Sequence, residues 1–322
     1  MDEIAVDNDG ITIGATVANL EQTDRPPLVF VHGWPELSHS WRHQMEHFVA
    51  AGWPCVAIDV RGYGRSSAPP EIARYTLKEL AGDVAAVIED VGDRPAIVIG
   101  HDWGAPIVYH TAIRHADLVA AVAGMSVPHT PPLPISLLDV FDQMYADRFF
   151  YMLYFQEPGI VEAAFDRDLR DALKRVYFAL SGDGPDSPLS SDAGRDAGLL
   201  DLLPPAPDGP LSFMSESDLD EYVEAFGRVG MVGAFNRYRA LAVDPDDNAD
   251  VVGAPIAQPS IFIGGAKDSV RSMVPGSDAF ADPGSGCADF RGATIVEGAG
   301  HWVQQESPAV VNAALAAFFD DL

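Results

Sequence analysis

A short turn at residues 100–104, with the sequence Gly-His-Asp-Trp-Gly, constrains the fold of this chain more than any other feature. The turn follows an apolar run at 96–99 and precedes an amphipathic stretch at 105–109. This order predicts a buried strand, a sharp turn flanked by glycines, and then a helix. In such a turn the middle residue stands exposed at the helix N-terminus. The sequence therefore predicts a nucleophile at position 102.

The residue at this position is Asp102, whereas esterases carry a serine there. A carboxylate is unsuited to ordinary acyl transfer, but it can attack a saturated carbon and form an alkyl ester. A strained turn around a carboxylate at a helix start also needs a functional reason. Asp102 therefore predicts an enzyme that either opens epoxides or displaces halide.

Patterns of apolar residues predict further strands and helices on both sides of this turn in the sequence. Asp9 and Gly10 lie between two alternating runs and predict a hairpin over 4–17. Capping-box spacing from Thr76 predicts the start of a long helix that ends at Gly92. Because strands alternate with helices, we expect a mostly parallel sheet that helices cover on both faces. The other predicted elements here are strands at 27–31, 55–58 and 119–125 and helices at 40–50 and 105–115.

The alternation breaks off after residue 128. Residues 129–248 are helix-rich and carry aromatic clusters, and within them 181–212 is crowded with Ser, Gly, Asp and Pro, which predicts a long loop. Alternation resumes with predicted strands at 260–264 and 293–296, followed by a last amphipathic helix. We therefore expect an α/β core with an inserted helical cap domain, divided into core residues 1–128, cap residues 129–248 and core residues 249–322.

The net charge and the amino-acid composition limit the kinds of molecule that this protein is expected to bind. The net charge of −28 over 322 residues repels phosphate backbones and anionic lipids, so we expect no nucleic-acid and no membrane partner. Adaptation to high salt and a solvated surface both account for this charge, and the second is favoured. Residues 1–10 lack the pattern of a signal peptide, and no apolar stretch is long enough to span a membrane. With Cys55 in a strand and Cys287 in a loop, no disulfide framework is expected, and the predicted location is cytoplasmic.

Two further residues are candidates to act with Asp102. His301 lies in a glycine-rich stretch after the last predicted strand, where ligand sites of α/β proteins occur. Asp268 follows the strand that ends at Gly264. A lone histidine or a turn aspartate is commonly structural, but the order nucleophile, acid, histidine is that of the α/β-hydrolase fold. We therefore predict that Asp102 is the nucleophile, His301 the general base and Asp268 the residue that orients it.

The other eight histidines lack this placement, and we interpret them as structural or solvated. They are His32, His39, His43, His47, His101, His110, His115 and His129.

A second turn, His-Gly-Trp-Pro at 32–35, follows the predicted strand at 27–31. Its glycine permits a tight backbone, and the bond between Trp34 and Pro35 is a candidate for the cis form. The turn is predicted to aim the Trp34 backbone N–H into the site, opposite the backbone N–H of Trp103. Two converging N–H donors form an oxyanion hole. Core packing is the alternative interpretation of these two tryptophans, and their side chains can pack while their amides act.

With these motifs in place, the chain resembles the epoxide hydrolases of the α/β-hydrolase fold. The resemblance runs nearly end to end, through 32–35, 59–67 and 100–105. It implies two tyrosines that bind the epoxide oxygen and donate a proton: Tyr151, with Tyr154 as the alternative three residues on, and Tyr238. The turn at 100–104, called the elbow below, and the His-Gly-x-Pro turn at 32–35 are by themselves shared with haloalkane and fluoroacetate dehalogenases. The two tyrosine segments, 151–159 and 235–239, are more specific.

The resemblance implies that Asp102 attacks a small apolar epoxide and that water activated by His301 releases a vicinal diol. No metal and no organic cofactor is needed, and both a homodimer and a monomer remain open. The nearest rival is a haloalkane dehalogenase with the same ester chemistry, in which the two cap tyrosines would have no role. A rival from another class is a non-catalytic hydrolase-fold protein that binds a small ligand.

Overall fold

The computed structural model describes residues 1–22, 24–185 and 190–322. Its main element is an eight-stranded sheet in the order β1-β2-β4-β3-β5-β6-β9-β10. Strand β2 runs antiparallel to both of its neighbours, and the remaining neighbours are parallel. The strands are β1 (Asp2–Asn8), β2 (Ile11–Ala18), β3 (Leu28–Val31), β4 (Cys55–Ile58), β5 (Ala96–His101), β6 (Val119–Met125), β7 (Phe149–Phe150), β8 (Ser190–Ser191), β9 (Ile256–Gly265) and β10 (Cys287–Val296).

The predicted hairpin is formed by β1 and β2. Asp9 and Gly10 take positive φ angles of 51° and 78°. A two-residue turn of this kind matches the twist of the strands that it joins, and glycine adopts it without steric cost. Val6 pairs with Ile13, and both are buried. The hairpin prediction is confirmed.

Helices cover the central sheet on both faces. Phe30 of β3 belongs to a buried cluster with Phe48 and Phe319, whose rings lie 5.2 Å apart between centroids. The next residue along β3, Val31, belongs to the opposite cluster with Val84. Alternate residues of one strand thus enter different cores, as the period of two requires. The helices of these layers are α1 (Arg42–Ala50), α2 (Leu77–Val91), α3 (Gly104–Arg114), α12 (Val303–Glu306) and α13 (Pro308–Asp320).

The chain between β6 and β9 is mostly helical, in agreement with the predicted loss of strand–helix alternation. The predicted division of the chain after residues 128 and 248 remains a prediction. The helices of this segment are α4 (Leu137–Met144), α5 (Tyr151–Tyr154), α6 (Ile160–Phe165), α7 (Leu169–Leu180), α8 (Leu199–Leu202), α9 (Glu216–Val229), α10 (Val232–Arg239) and α11 (Asp244–Asp247).

The prediction of one long loop over 181–212 is wrong in part. Helix α8 lies within that range, and strand β8 pairs with β7 as a small antiparallel ladder. Residues 186–189 of the predicted loop lie outside the described residues. A four-residue helix and a two-residue strand are too short to produce a periodic pattern, so their tertiary contacts define them.

Strand β10 begins at Cys287, earlier than predicted, and Cys287 is therefore in a strand and not in a loop. Among the described residues this strand pairs only with β9, and nearly all of its side chains are exposed or half-buried, so its sequence lacks the apolar run of a buried strand. At the helix that starts after Thr76, the threonine hydroxyl accepts a hydrogen bond from the Glu79 N–H at 3.4 Å.

Within the described ranges, no helix has both the length and the apolar character needed to cross a membrane.

Candidate active site

Asp102 stands at the predicted elbow between β5 and α3. Its φ angle is +50°, a conformation that residues other than glycine rarely adopt. A Cβ atom on Gly104 would collide with the Val31 carbonyl oxygen, and one on Gly100 would collide with the Gly104 carbonyl. The two flanking glycines therefore allow the turn to pack against its own strand and against β3, which is why the motif needs them.

Three side chains from the ends of different strands meet at this elbow. The Nε2 atom of His301 lies 3.4 Å from Oδ2 of Asp102. Its Nδ1 atom lies 3.1 Å from each carboxylate oxygen of Asp268. Asp102, Asp268 and His301 follow β5, β9 and β10, whose carboxyl ends lie along one edge of the sheet. The structure thus brings together the three residues that the sequence singled out.

The loop that carries His301 is held by hydrogen bonds to its backbone. The carbonyl oxygen of His301 lies 2.8 Å from both Ser126 Oγ and His101 Nε2, and its N–H donates to the Leu180 carbonyl at 2.8 Å. The Nδ1 atom of His101 lies 2.7 Å from Glu36 Oε2. Both ring nitrogens of His101 therefore face oxygen atoms, which fixes the orientation of the ring.

Sequence reasoning missed Glu36, which directly follows the turn at 32–35. Burial would raise the pKa of this carboxyl, but the adjacent His101 lowers the pKa to about 2. The signal that could have found it is a glutamate inside an otherwise apolar turn region, where a charge needs a partner. His101 was interpreted as structural or solvated, and the structure places it among the buried residues that hold the His301 loop.

The turn at 32–35 brings one backbone donor to Asp102. The Trp34 N–H donates to Asp102 Oδ1 at 2.6 Å, and the peptide bond to Pro35 is cis. A Cβ atom on Gly33 would collide with the Asp102 carboxylate, so only glycine allows this approach. Trp34 therefore has the predicted orientation, whereas the part of the Trp103 backbone N–H in an oxyanion hole remains a prediction.

Tyr151 and Tyr238 come from the helical segment and meet above Asp102. Their rings lie 5.8 Å apart between centroids, and the ring of Tyr238 lies 5.3 Å from that of Trp103. Both tyrosines are buried. Tyr154, the alternative to Tyr151, is partly exposed. Burial and then the charge of Asp201 raise the pKa of its phenol. The geometry therefore supports the choice of Tyr151 over Tyr154.

Both phenols keep their protons. Burial and the nearby charge of Asp102 raise the pKa of Tyr151 well above its usual range. Burial, together with the nearby Tyr151 and Asp102, likewise raises the pKa of Tyr238 well above its usual range. Each tyrosine can therefore donate a hydrogen bond to an oxygen atom placed between it and the Asp102 carboxylate.

A cavity of about 330 Å³ opens from this site toward the surface. Asp102, Trp103 and Tyr151 line its inner part. Apart from Thr130, the exposed side chains on its lining are apolar, which suits an apolar substrate. They are Leu133, Ile135, Leu137 and Val274.

Comparisons with known proteins show the family of this chain. Residues 26–164 match the family model described as the alpha/beta hydrolase fold. Epoxide hydrolase A of Mycobacterium tuberculosis (strain ATCC 25618 / H37Rv) is 38% identical over 321 residues, which cover 99% of this chain and 98% of that protein. The chain belongs to the epoxide hydrolases.

Solved structures of epoxide hydrolases have the same overall fold. Epoxide hydrolase A from Mycobacterium thermoresistibile superposes with a TM-score of 0.89 at 37% identity, covering 98% of this chain and 97% of that one. Potato (Solanum tuberosum) epoxide hydrolase I superposes with a TM-score of 0.87 at 30% identity, covering 100% and 99%. The predicted resemblance and the predicted fold class are confirmed.

His301 of this epoxide hydrolase is surrounded by negative charge. Burial alone would lower the pKa of His301, but the carboxylates of Asp268 and Asp102 outweigh burial and raise this pKa well above its usual range. His301 is thus protonated while Asp102 carries its charge. Conversion of Asp102 to a neutral ester would remove one of the two carboxylates. The pKa of His301 would then fall.

We predict that Asp102→Ala lowers the pKa of His301 relative to the unmodified enzyme, because one of its two raising charges is lost. Titration of ¹⁵N-labelled histidine side chains by NMR measures this shift, and the spectrum of His301→Gln identifies the signal. An unchanged titration of His301 in Asp102→Ala would contradict the electrostatic coupling between the two residues.

Proposed function

We propose that this protein hydrolyses epoxides to vicinal diols through a covalent ester on Asp102. In the first half-reaction one carboxylate oxygen of Asp102 attacks an epoxide carbon, and the bond from that carbon to the ring oxygen breaks. The ring oxygen takes a proton from Tyr151 or Tyr238. The product of this step is an alkyl ester of Asp102 with a hydroxyl group on the neighbouring carbon.

In the second half-reaction His301, oriented by Asp268, takes a proton from water, and the hydroxide attacks the ester carbonyl of Asp102. The Trp34 N–H, which lies 2.6 Å from an Asp102 oxygen, stabilises the tetrahedral oxyanion. We assign the backbone N–H of Trp103 as the second donor. The bond from the carbonyl carbon to the alkyl oxygen then breaks, and this oxygen takes the proton of the added hydroxide, so that the diol leaves and one water oxygen stays in the carboxylate. His301 keeps the proton that it took from water, and the proton that it lost when its pKa fell on ester formation restores the tyrosine.

The observation that carries this proposal is the pair of buried phenols that keep their protons near the charge of Asp102. An alkoxide leaving group needs a proton, whereas a halide needs only N–H donors. Tyr151 and Tyr238 would have no role in a dehalogenase. A non-catalytic ligand-binding protein would have no use for a nucleophile, base and acid within hydrogen-bonding reach of one another.

Both tyrosines lie on the helical segment between β6 and β9, so this segment takes part in the proposed reaction. We propose that residues 129–248 form a cap domain that places its two acids over the nucleophile of the core. The apolar cavity supports a small apolar epoxide as substrate.

We infer a cytoplasmic location from the free thiols of Cys55 and Cys287, the only cysteines in the sequence.

The origin of the diol oxygen tests the covalent route. With enzyme in excess over styrene oxide in ¹⁸O water, the diol of the first turnover should be mostly unlabelled, because its new oxygen comes from Asp102. The label should appear in the peptide that contains Asp102. Under multiple turnovers the carboxylate becomes labelled, so later diol should carry the label. A labelled first-turnover diol with an unlabelled peptide would contradict the assignment of Asp102 as nucleophile.

A further inference from the structure

The loop that carries His301 is attached to the end of helix α7. The His301 N–H donates to the Leu180 carbonyl, and the Trp302 indole N–H donates to the Tyr177 carbonyl, each at 2.8 Å. Helix α7 belongs to the helical segment between β6 and β9, whereas His301 follows β10 of the sheet. The base of the proposed reaction therefore lies where the helical segment meets the core.

One carboxylate, that of Glu306 in α12, binds the chain on both sides of His301. Its Oε2 atom accepts hydrogen bonds from the Gly300 N–H at 3.0 Å and from the Gly182 N–H at 2.7 Å. Its Oε1 atom accepts one from the Trp302 N–H at 3.0 Å. Gly300 and Trp302 are the neighbours of His301 in the chain, and Gly182 follows α7. Glu306 thus joins both neighbours of the base to the helical segment.

The backbones meet here without room for side chains. A Cβ atom on Gly300 would collide with the Gly182 backbone nitrogen, and one on Gly182 would collide with the Gly298 carbonyl oxygen. The Nζ atom of Lys267 donates to the Gly182 carbonyl at 2.7 Å. Because Lys267 directly precedes Asp268, the loops of the base and of its orienting acid both bind the same glycine.

The position of His301 has to be exact to within a fraction of an ångström, because the imidazole must take a proton from the water that attacks the ester. A displacement of about 1 Å can lower the rate of a catalysed step by roughly 100-fold. Asp268 orients the imidazole ring through its Nδ1 atom. Glu306 instead binds the backbone from which the ring extends, so the two carboxylates fix different properties of the base.

We propose that Glu306 is a positioning residue for hydrolysis of the Asp102 ester. It holds the His301 loop against residues 180–182, so that the imidazole stays within reach of the attacking water. The inference rests on the proposed function. Because ester formation needs no base, loss of Glu306 should slow the second half-reaction and leave the first unchanged.

Glu306→Gln tests this assignment. Glutamine has one acceptor oxygen and an NH₂ group where the carboxylate has two acceptor oxygens, so at least one of the three backbone N–H groups loses its partner. Single-turnover measurements with styrene oxide should show ester hydrolysis slowed by roughly 10-fold to 100-fold. Ester formation should proceed at the wild-type rate, and the ester should accumulate during turnover.

Steady-state kinetics of Glu306→Gln separate a displaced base from a loss of folded enzyme. When ester hydrolysis limits turnover, kcat and KM fall by the same factor, whereas kcat/KM reports the steps up to ester formation and keeps its wild-type value. A smaller folded fraction lowers kcat and kcat/KM together and leaves KM unchanged. This second pattern in Glu306→Gln would overturn the proposal.

Asp218→Asn is the matched control. Asp218 of α9 is also a half-buried carboxylate that joins the helical segment to the core, since its Oδ1 atom lies 2.7 Å from His39 Nε2 and 3.2 Å from Arg42 Nε. Its partners in the core are these two side chains and not the loop of His301. The control should keep the wild-type rates of both half-reactions.

A second variant, Glu306→Asp, keeps the charge but is one methylene group shorter, so its carboxylate cannot reach all three donors. It should show the same slow hydrolysis, and it replaces Glu306→Gln if thermal unfolding shows that the glutamine variant does not fold. Wild-type ester hydrolysis in the folded variant would overturn the role of Glu306 and leave the proposed function intact. If the wild-type enzyme formed no ester with any reactive epoxide, the proposed function would fail, and the role of Glu306 with it.

Discussion

Replacement of both Tyr151 and Tyr238 by phenylalanine is expected to nearly abolish formation of the Asp102 ester. Each single change removes one of two acids that face the developing alkoxide, and general-acid catalysis contributes roughly 10²–10⁴ in rate. Each single variant should therefore slow the step, and the double variant should slow it more. Rapid-quench measurement of ester formation under single-turnover conditions gives these rates directly.

Tyr154→Phe is the matched control for this experiment. It alters another tyrosine of α5 that is partly exposed and stays outside the cavity lining, so ester formation should proceed at the wild-type rate. A slow Tyr154→Phe beside a normal Tyr151→Phe would move the assignment by three residues. Wild-type ester formation in the double variant, together with turnover of a chloroalkane, would favour the dehalogenase interpretation.

His301→Gln is expected to stop the reaction at the covalent ester. Attack by Asp102 needs no base, whereas attack of water on the ester does, so the second step should slow far more than the first. Mass spectrometry of the intact protein should show the enzyme plus the mass of one substrate, and this adduct should be lost slowly. Peptide mapping should place the added mass on Asp102.

His47→Gln makes the same chemical change at an exposed position and should accumulate no adduct. If His301→Gln formed no adduct with any reactive epoxide and still released diol, water would attack the epoxide directly. If it formed the adduct and hydrolysed it at the wild-type rate, His301 would not be the base.

Local sequence was sufficient to predict the elbow and the order of the triad. The turn at 100–104 requires glycines that allow close packing, and the structure shows the carbonyl groups that a Cβ would strike. The alternation of strands and helices predicted a parallel sheet, and parallel strands place their carboxyl ends along one edge. That topology accounts for why Asp102, Asp268 and His301 meet although 199 positions separate the first from the last.

Groups that act through contacts between distant segments could not be found in this way. Glu36 and His101 are 65 positions apart and form a pair only because two strand ends are neighbours. The exposed strand β10 and the short strand β8 lack apolar patterns, so pairing with their neighbours defines them. His110 and His129 resemble any other histidines in the sequence, and only the tertiary structure places them among the residues that line the cavity.

The sequence by itself determined the nucleophile type, the fold class and the family resemblance, because these depend on residue identity and on the short-range periods of strands and helices. The tertiary structure alone decided which tyrosine of α5 faces Asp102, how charge surrounds His301 and which side chains line the cavity. Those properties depend on distance, burial and the direction in which a side chain points. All three depend on how separate segments pack against one another, and a linear pattern does not encode them.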